Sequence, residues 1–399
     1  MLRSLVVLGR RSSSASSCSV VVDEALKESI RKFDVMTPRP LTLRRILEVS
    51  SSAEYIQEIN SFLQEEFRIR CAERICMLEE KVPNFKESEE LELVYNKHLQ
   101  SFIDMSGHSL CDDFIPVVRS IVERSRDEIP LLCKGMSKLI HNPDNKIQEK
   151  FLNKFMNEFI LNRIGSNVLM SQYLAVATGD DPPHPTSIVD PHCNLTKICT
   201  KTAKAVQKLC LQETGYRPNI KVHSHHNMEH FAFIPDAISY ILQELLKNSA
   251  VATANKKRNA TGLTKYAEDP INVIVCADES RVMIHVADQA GGIPFEVSPH
   301  VWSYLYTTKP DQKEQQLHPD LADFTHSGAT DLGGFGVGLP LSRLYASYLG
   351  GTINLVPLPG YGTHAYVFLP RLPEKMVESV PIRSTGWEAS KPIMGGFIL

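Results

Sequence analysis

The chain has 399 residues, 43% of them hydrophobic, and a formal net charge of -3. This length and apolar content predict about two or three domains with buried cores. The slightly acidic balance argues against a protein built mainly to bind nucleic acid. No apolar run approaches the roughly 20 residues that a membrane-spanning helix needs. The nine cysteines form no CxxC pair, which indicates reduced thiols rather than a disulfide framework.

The first 22 residues differ in composition from the rest of the chain. They contain three arginines and seven serines, and the first acidic residue is Asp23. A basic, serine-rich and acid-free start is typical of a mitochondrial transit peptide. A disordered start and, from the apolar run Leu5–Leu8, a secretion signal are the alternatives. We expect residues 1–22 to be a mitochondrial transit peptide, which places the mature protein in the matrix.

Residues 23–180 carry a helical pattern of apolar side chains. Ile59, Leu63 and Phe67 recur at spacings of three or four residues, as one face of an amphipathic helix requires. Phe155 and Phe159 do the same in a second stretch. The pattern predicts a bundle of about four long helices, with no chemistry of its own. Such a bundle is a scaffold or a docking surface.

A proline-rich stretch, Gly179–Pro185, predicts a linker to a second domain over residues 186–373. After it, helices alternate with strands and with hairpins that end in turn residues. This order predicts an α/β sandwich with one sheet face covered, so the fold class is a two-domain α plus α/β protein with a tail at 374–399. Strands are expected near Ile220–Val222, Ile271–Cys276, Val282–Ala287, Thr352–Val356 and His364–Leu369.

One predicted helix could hold a base and a metal ligand. Glu244 and Asn248 are four residues apart and so lie on one helix face. An amide oxygen suits Mg²⁺, which needs few protein ligands, and a carboxylate one turn away can accept a proton. On spacing alone, a solvated glutamate beside a helix-interior asparagine is the commoner arrangement.

Two glycine-containing turns could form a nucleotide site with that helix. Asp288 ends a predicted strand, where its carboxylate could accept the amine of adenine, and Gly292 would let the backbone approach the ligand. An ordinary Asp-initiated turn is the alternative.

Gly334, Gly336 and Gly338 precede a predicted helix, a placement that presents backbone N–H groups to phosphate. They lack the GK[ST] ending of a P-loop and do not follow a strand, so another nucleotide fold is expected. The polar residues 309–333 are long enough to form a lid.

These segments resemble the asparagine box and the three glycine boxes of the Bergerat-fold (GHKL) ATPases, the superfamily of histidine kinases and DNA gyrase. Within it, the chain is similar to the mitochondrial 2-oxo-acid dehydrogenase kinases, pyruvate and branched-chain, over roughly residues 30–372. The boxes are Glu244–Asn248, Asp288–Gly292, Gly334–Arg343 and Gly362–Thr363, and the likeness extends to Arg70–Ile75, Asn162–Gly165, Asp190–Asn194 and Phe233–Pro235.

The resemblance implies a role for each matching residue. Glu244 would be the general base for a substrate serine, Asn248 the Mg²⁺ ligand in the ATP site, and Asp288 the adenine partner, with Gly292 and Thr363 nearby. Thr307 and Thr308 would contact the nucleotide. The phosphates would be held by Gly334, Phe335, Gly336, Val337, Gly338 and Leu339. Potassium is a further implied cofactor.

The chain departs from the family pattern at several positions. Ala290 stands where a glycine is usual. Tyr240 stands where the pyruvate dehydrogenase kinases place a histidine beside the base, and the branched-chain kinases resemble this chain at that position. Cys111 replaces a bundle histidine, which excludes a phosphohistidine mechanism at that position. The tail has Gly386–Trp387 where Asp-Trp is typical of the pyruvate group.

Three functions from different classes follow from these observations. The first is an ATP-dependent serine kinase that inactivates the E1 component of a pyruvate or branched-chain complex. It would dock on the lipoyl-bearing E2 component and form a homodimer. The second is a catalytically weak nucleotide-sensing scaffold of the same complex, for which Ala290 and Tyr240 leave room. The third is a histidine kinase or chaperone-like ATPase that shares only the fold, although no receiver-like segment supports it.

Overall fold

The computed structural model describes residues 23–49, 56–107, 114–141, 148–178, 187–224, 231–259, 269–308, 336–371 and 377–380. Several sequence predictions therefore concern residues outside the described ranges: the transit peptide, the linker 179–185, the lid 309–333, Cys111, Gly334, Phe335 and Gly386–Trp387. The expected domain boundaries remain predictions.

The amino-terminal half is helical, as expected. Its described helices are α1 (Glu24–Asp34), α2 (Leu43–Val49), α3 (Ile56–Lys81), α4 (Glu89–Gly107), α5 (Ile115–Arg124), α6 (Glu128–His141) and α7 (Glu149–Thr178). Helices α3, α4, α6 and α7 have 26, 19, 14 and 30 residues and correspond to the predicted long helices. The predicted apolar stripes face the core: Leu63 and Phe67 of α3 and Phe155 and Phe159 of α7 are buried. Each such side chain stabilises the fold by roughly 1.5–3 kcal/mol.

The centre of the bundle also contains paired charges. The Arg163 Nε donates to Glu128 Oε2 at 3.1 Å, and His98 Nε2 lies 2.7 Å from Glu128 Oε1. Arg74 donates to Asn162 and, at 2.7 Å, to the hydroxyl of Ser166. Burial raises the pKa of Glu128, but the imidazole of His98 and the nearby arginines outweigh that effect and hold this pKa well below its usual range.

The carboxyl-terminal half contains a five-stranded sheet. Its strands are β1 (Ile220–Ser224), β2 (Ile271–Ala277), β3 (Arg281–Ala287), β4 (Thr352–Leu358) and β5 (Gly362–Pro370), in the order β1-β2-β3-β5-β4. The predicted hairpins β2–β3 and β4–β5 are antiparallel, whereas β1 pairs in parallel with β2. A parallel pair needs a crossover connection, which a helix supplies here. Asp278 sets the β2–β3 turn by accepting the backbone N–H groups of Ser280 and Arg281, both at 2.7 Å.

Three helices cover one face of this sheet: α8 (Leu195–Thr214), α9 (Pro235–Asn259) and α10 (Gly338–Tyr348). Alternate strand residues such as Val273, Ile284 and Val367 point into this layer and are buried. The expected α/β sandwich with one covered face is therefore confirmed. Within the described parts of the chain, no helix is both long and apolar enough to cross a membrane.

Residues 377–380 return from the sheet to the bundle. The Glu378 carboxylate accepts Arg70 Nη1 at 2.5 Å and Nη2 at 2.8 Å, and its second oxygen accepts the Leu41 backbone N–H at 2.9 Å. The side chains of Arg70 and Glu378 are each 1% exposed. The carboxyl-terminal end of the sheet domain is thereby joined to α3 and to the segment before α2.

Glu378→Ala should lower the free energy of unfolding by about 3 kcal/mol, because it leaves the buried guanidinium of Arg70 without its main partner. Urea titration measures this change. Glu65→Ala is the matched control. Glu65 pairs with Arg39 at 2.5 Å but is 41% exposed, so its loss should cost at most about 1 kcal/mol. Equal effects of the two substitutions would contradict the importance of the buried pair.

Candidate active site

Helix α9 carries three polar side chains at the edge of its buried face. Leu242, Leu245 and Leu246 pack in the core. Glu244 and Lys247 are also buried, and the Lys247 ammonium lies 2.6 Å from Glu244 Oε1. Asn248, the next residue, is exposed. The helix therefore holds the predicted base in a fixed ion pair and presents the predicted metal ligand to an open space.

Asp288 stands at the end of β3, and its buried carboxylate accepts three hydrogen bonds from the protein, which leaves acceptor capacity for a ligand. Its Oδ2 accepts the hydroxyl of Ser249 at 2.8 Å, and its Oδ1 accepts the backbone N–H groups of Ala290 at 3.0 Å and Thr363 at 3.3 Å. These bonds connect α9, the turn after β3 and strand β5. Ala290 takes part through its backbone N–H, a contact that does not depend on its side chain.

Gly292 has a packing reason in addition to the ligand-based reason that was expected. Its φ is +74°, and a side chain there would collide with the carbonyl groups of Leu358 and Gly362 in the β4–β5 turn. The glycine is required by packing within the protein. Close approach of a ligand is therefore not needed to explain it.

The glycine loop ends directly against Glu244. Helix α10 begins at Gly338, and any side chain there would collide with the Glu244 carboxylate. The preceding Val337 is buried in the core and makes no side-chain cap on the helix. Because Val337 does not cap them, the first backbone N–H groups of α10 can donate to the anionic oxygens of a ligand.

These elements enclose a cavity of about 550 Å³, within the usual range for small-molecule sites. The predicted residues that line it are Glu244, Asn248, Asp288, Gly292, Thr307, Thr308, Gly336, Gly338, Leu339 and Thr363. Val337 is not among them, and Gly334 and Phe335 lie outside the described residues. Lining residues that the sequence did not single out include Lys247, Ser249, Ile293, Pro294 and Tyr306. For Lys247 a signal existed, because a basic residue three positions after Glu244 on a helix is placed to pair with it.

The donor set suits Mg²⁺ bound together with phosphates. The Asn248 amide faces the cavity one turn from Glu244, and its side chain has no hydrogen bond to another described residue. Among the described residues there is no group of three or more His, Cys, Asp or Glu side chains that could hold a metal by itself. Mg²⁺ commonly binds through one or two protein oxygens plus substrate phosphates and water.

Two family models match the chain. Residues 40–190 match the model described as mitochondrial branched-chain alpha-ketoacid dehydrogenase kinase. Residues 234–373 match the model of histidine kinase-, DNA gyrase B- and HSP90-like ATPases. The first corresponds to the helical bundle and the second to the sheet domain that contains the cavity.

Curated relatives are similar along most of the chain. Pyruvate dehydrogenase (acetyl-transferring) kinase isozyme 4, mitochondrial, of Rhinolophus ferrumequinum is 26% identical over 392 residues, covering 94% of this chain and 90% of the relative. Isozyme 4 of Homo sapiens is 26% identical, with 88% and 86% covered. The mitochondrial pyruvate dehydrogenase kinase of Arabidopsis thaliana is 26% identical, with 88% and 95% covered.

The mixed sheet, its covering helices and the glycine loop against α9 define a Bergerat-fold (GHKL) ATPase domain joined to a helical bundle. In its bundle and along most of its length, the chain is similar to the mitochondrial 2-oxo-acid dehydrogenase kinases. The resemblance inferred from the boxes is therefore confirmed. The mitochondrial location of these relatives agrees with the expectation from the first 22 residues.

Asp288→Ala should weaken ATP binding by at least about tenfold, because it removes the predicted acceptor for the adenine amine and the acceptor shared by Ser249, Ala290 and Thr363. Titration calorimetry with ATP and with ADP measures the affinity. Asp278→Ala is the matched control, since Asp278 also accepts local hydrogen bonds but lies at the β2–β3 turn, away from the cavity. Its affinity should equal that of the wild type. An unchanged affinity in Asp288→Ala would contradict the placement of adenine.

Proposed function

We propose that the protein is an ATP- and Mg²⁺-dependent serine kinase that phosphorylates and inactivates the E1 component of a mitochondrial 2-oxo-acid dehydrogenase complex. The observation that carries the proposal is the meeting of Glu244, Asn248 and the start of α10 at one cavity. A base, a metal ligand and a phosphate-binding helix end are what phosphoryl transfer requires.

The nucleotide would bind with its adenine at Asp288 and Thr363 and its phosphates toward Gly336, Gly338 and the Leu339 backbone. Gly334, Phe335 and Val337 belong to the same proposed phosphate loop. Thr307 and Thr308, which lie exposed at the cavity, would contact the nucleotide. The bound Mg²⁺, held by the Asn248 amide and by phosphate oxygens, would neutralise part of the triphosphate charge. A potassium requirement rests on the family resemblance alone.

Glu244 would act as the general base. The substrate serine Oγ attacks the γ-phosphorus, its proton passes to the Glu244 carboxylate, and the bond to the ADP oxygen breaks. Two contacts position that carboxylate: the ion pair with Lys247 at 2.6 Å and the close approach of Gly338. Because its position is set before substrate binds, little reorganisation is needed during transfer.

Tyr240 gives no support to the alternative of a catalytically weak scaffold. It lies one turn before Glu244 on α9, and its hydroxyl is buried without a hydrogen-bond partner among the described residues. Burial first, and the nearby Glu244 carboxylate second, raise the pKa of this phenol, so it stays neutral. The proposed base keeps its ion pair with Lys247, and the relatives are named as kinases.

The names of the relatives favour the pyruvate complex as the target. The proposed partners are its E1 component and the lipoyl-bearing E2 component, reached in the mitochondrial matrix. Docking on E2 is assigned to the helical bundle by family resemblance. The branched-chain complex is the competing target, because Tyr240 matches the kinases of that complex.

Glu244→Gln should lower phosphate transfer to purified pyruvate dehydrogenase E1 by about 100-fold or more, since general-base assistance is lost. Transfer of labelled phosphate from ATP measures the rate, and the branched-chain E1 is assayed in parallel to identify the target. Asp236→Asn is the control, because Asp236 is an exposed acid on the same helix. It should retain the wild-type rate.

Three results would count against the proposal. Unchanged transfer by Glu244→Gln would remove the base assignment. A wild-type protein that binds ATP but transfers no phosphate to either E1 would favour the scaffold. Acid-labile phosphate on histidine would favour the histidine-kinase alternative.

The proposed homodimer would use the sheet face that none of the described helices covers. Half-buried aromatic side chains of β3 and β5 line that face: the rings of His285 and Tyr366 stack with centroids 4.4 Å apart, and Phe368 continues the row. Aromatic side chains are enriched in protein–protein interfaces, so this row is a candidate contact surface.

Tyr366→Asp should convert the dimer to a monomer, because a charge would be buried without a partner at the interface. Sedimentation velocity measures the change. Tyr361→Asp is the matched control, since Tyr361 is 52% exposed in the β4–β5 turn, outside the aromatic row. A monomeric wild type, or two variants that both remain dimers, would disprove this interface.

A further inference from the structure

The segment that leads to the nucleotide-facing threonines is bound to the helical bundle. It runs from Ser298 to Thr308, between α7 and the cavity. Three polar residues at one-turn intervals on α7 face it: Glu149, Asn153 and Asn157. Residues spaced by four lie on the same side of a helix, so they form a single contact surface.

Asn153 makes the central contact through both atoms of its amide. Its Oδ1 accepts the backbone N–H of Tyr304 at 2.9 Å, and its Nδ2 donates to the Ser303 hydroxyl at 3.2 Å. Ser303 in turn donates to Glu149 Oε1 at 2.5 Å. Ser303 and Tyr304 are both buried. A buried N–H group such as that of Tyr304 has no water to replace a lost acceptor.

Asn157 holds the same segment through a side chain. The Tyr304 hydroxyl donates to Asn157 Oδ1 at 2.9 Å. Tyr304 is 3% exposed, whereas Asn157 is exposed, so the bond anchors a buried tyrosine at its polar end. Asn153 and Asn157 thus fix the backbone and the ring of one residue.

The next residues connect this anchor to the cavity. Leu305 has a positive φ of 63°, a conformation that leucine keeps only where neighbouring contacts impose it. Its N–H donates to the carbonyl of Gly336 at 3.0 Å. Gly336 lies directly against the Tyr306 backbone, and Tyr306, Thr307 and Thr308 line the cavity. The segment is therefore held by α7 on one side and joined to the glycine loop on the other.

We propose that Asn153 and Asn157 are positioning residues for the nucleotide, acting through Tyr304 on the segment Leu305–Thr308. This inference rests on the proposed ATP site. Residues that are already ordered before ligand binds lower the entropic cost of binding, so the bundle would set part of the ATP affinity. By linkage, bound ATP would strengthen the docking of the segment on α7 by the same factor.

The test compares ATP dissociation constants of full-length variants. Asn153→Leu should raise the constant about tenfold, because it removes the acceptor of a buried N–H group. The KM for ATP should rise with it, while kcat at saturating ATP stays near the wild-type value, since Glu244 is not contacted. Lys154→Leu is the matched control: Lys154 is the neighbouring residue on α7, its side chain is 58% exposed, and it should leave ATP affinity unchanged.

Two substitutions at Asn157 distinguish the loss of a hydrogen-bond acceptor from a change in helix packing. Asn157→Asp keeps an oxygen for the Tyr304 hydroxyl and should retain wild-type ATP affinity, whereas Asn157→Leu should lose it. Tyr304→Phe should give a loss similar to Asn157→Leu. The variant that combines Asn157→Leu with Tyr304→Phe should bind ATP no more weakly than either single variant, because each substitution removes the same hydrogen bond.

The outcomes distinguish this inference from the kinase proposal. If Asn153→Leu lowers the melting temperature but leaves ATP affinity unchanged, its role is structural and the inference is wrong. Additive losses in the double variant would also overturn the assigned bond. A wild type that binds ATP with the expected variant effects but transfers no phosphate would refute the kinase proposal and leave this inference standing.

Discussion

Helix α7 is the constraint on which both halves of the structure depend. Its residues Asn162–Tyr173 are buried without interruption, with α3, α5 and α10 packed around the helix. Arg163 lies in that run and is paired with Glu128. An unpaired buried charge costs several kcal/mol, so the pair fixes the rotation of α7 about its own axis. That rotation in turn directs Asn157 and Asn153, about two and three turns earlier, toward the segment Ser298–Thr308.

The fixed rotation of α7 explains how a bundle without chemistry of its own can influence the site. Packed side chains and hydrogen bonds transmit position without any group of the bundle entering the cavity. The Arg70–Glu378 pair adds a second connection, from α3 to the residues that follow the sheet. The backbone of Ser379 also donates to the Tyr348 carbonyl at the end of α10. Helix α10 thus faces Glu244 at its start and is joined to the carboxyl-terminal residues at its end.

Local signals in the sequence predicted much of this arrangement. Spacings of three and four residues identified the long helices, and period-two alternation with turn residues located the strands to within a few positions. Glu244 and Asn248 became candidates because they share one helix face, but spacing alone favoured an ordinary pair, and their predicted roles came from the box resemblance. These features depend only on residues close together in the chain. The cavity then brought Asp288 and Thr363 to the same place, as the box resemblance implied.

Partners that are distant in the chain could not be predicted in this way. Arg70 and Glu378 are 308 positions apart, and no periodicity connects them. The parallel pairing of β1 with β2 depends on the path of α9, which only the assembled sheet determines. Gly292 was given a ligand-based reason, whereas its neighbours in space, Leu358 and Gly362, supply a packing reason. Sequence patterns identify residue types that suit a role, but the competing structural cause lies in the tertiary contacts.

The glycine loop and the base constrain each other more closely than either motif suggests alone. Gly338 was expected to expose backbone N–H groups to phosphate, yet its lack of a side chain is also what leaves room for the Glu244 carboxylate. Lys247 holds that carboxylate from the other side, and the whole group sits on helices rather than on flexible loops. Groups placed on rigid elements keep their geometry more precisely than groups on loops. A substitution at Gly338 would therefore disturb the proposed base and the proposed phosphate site together. Effects on transfer and on nucleotide binding should be separable only at residues further from this contact, such as Asn153.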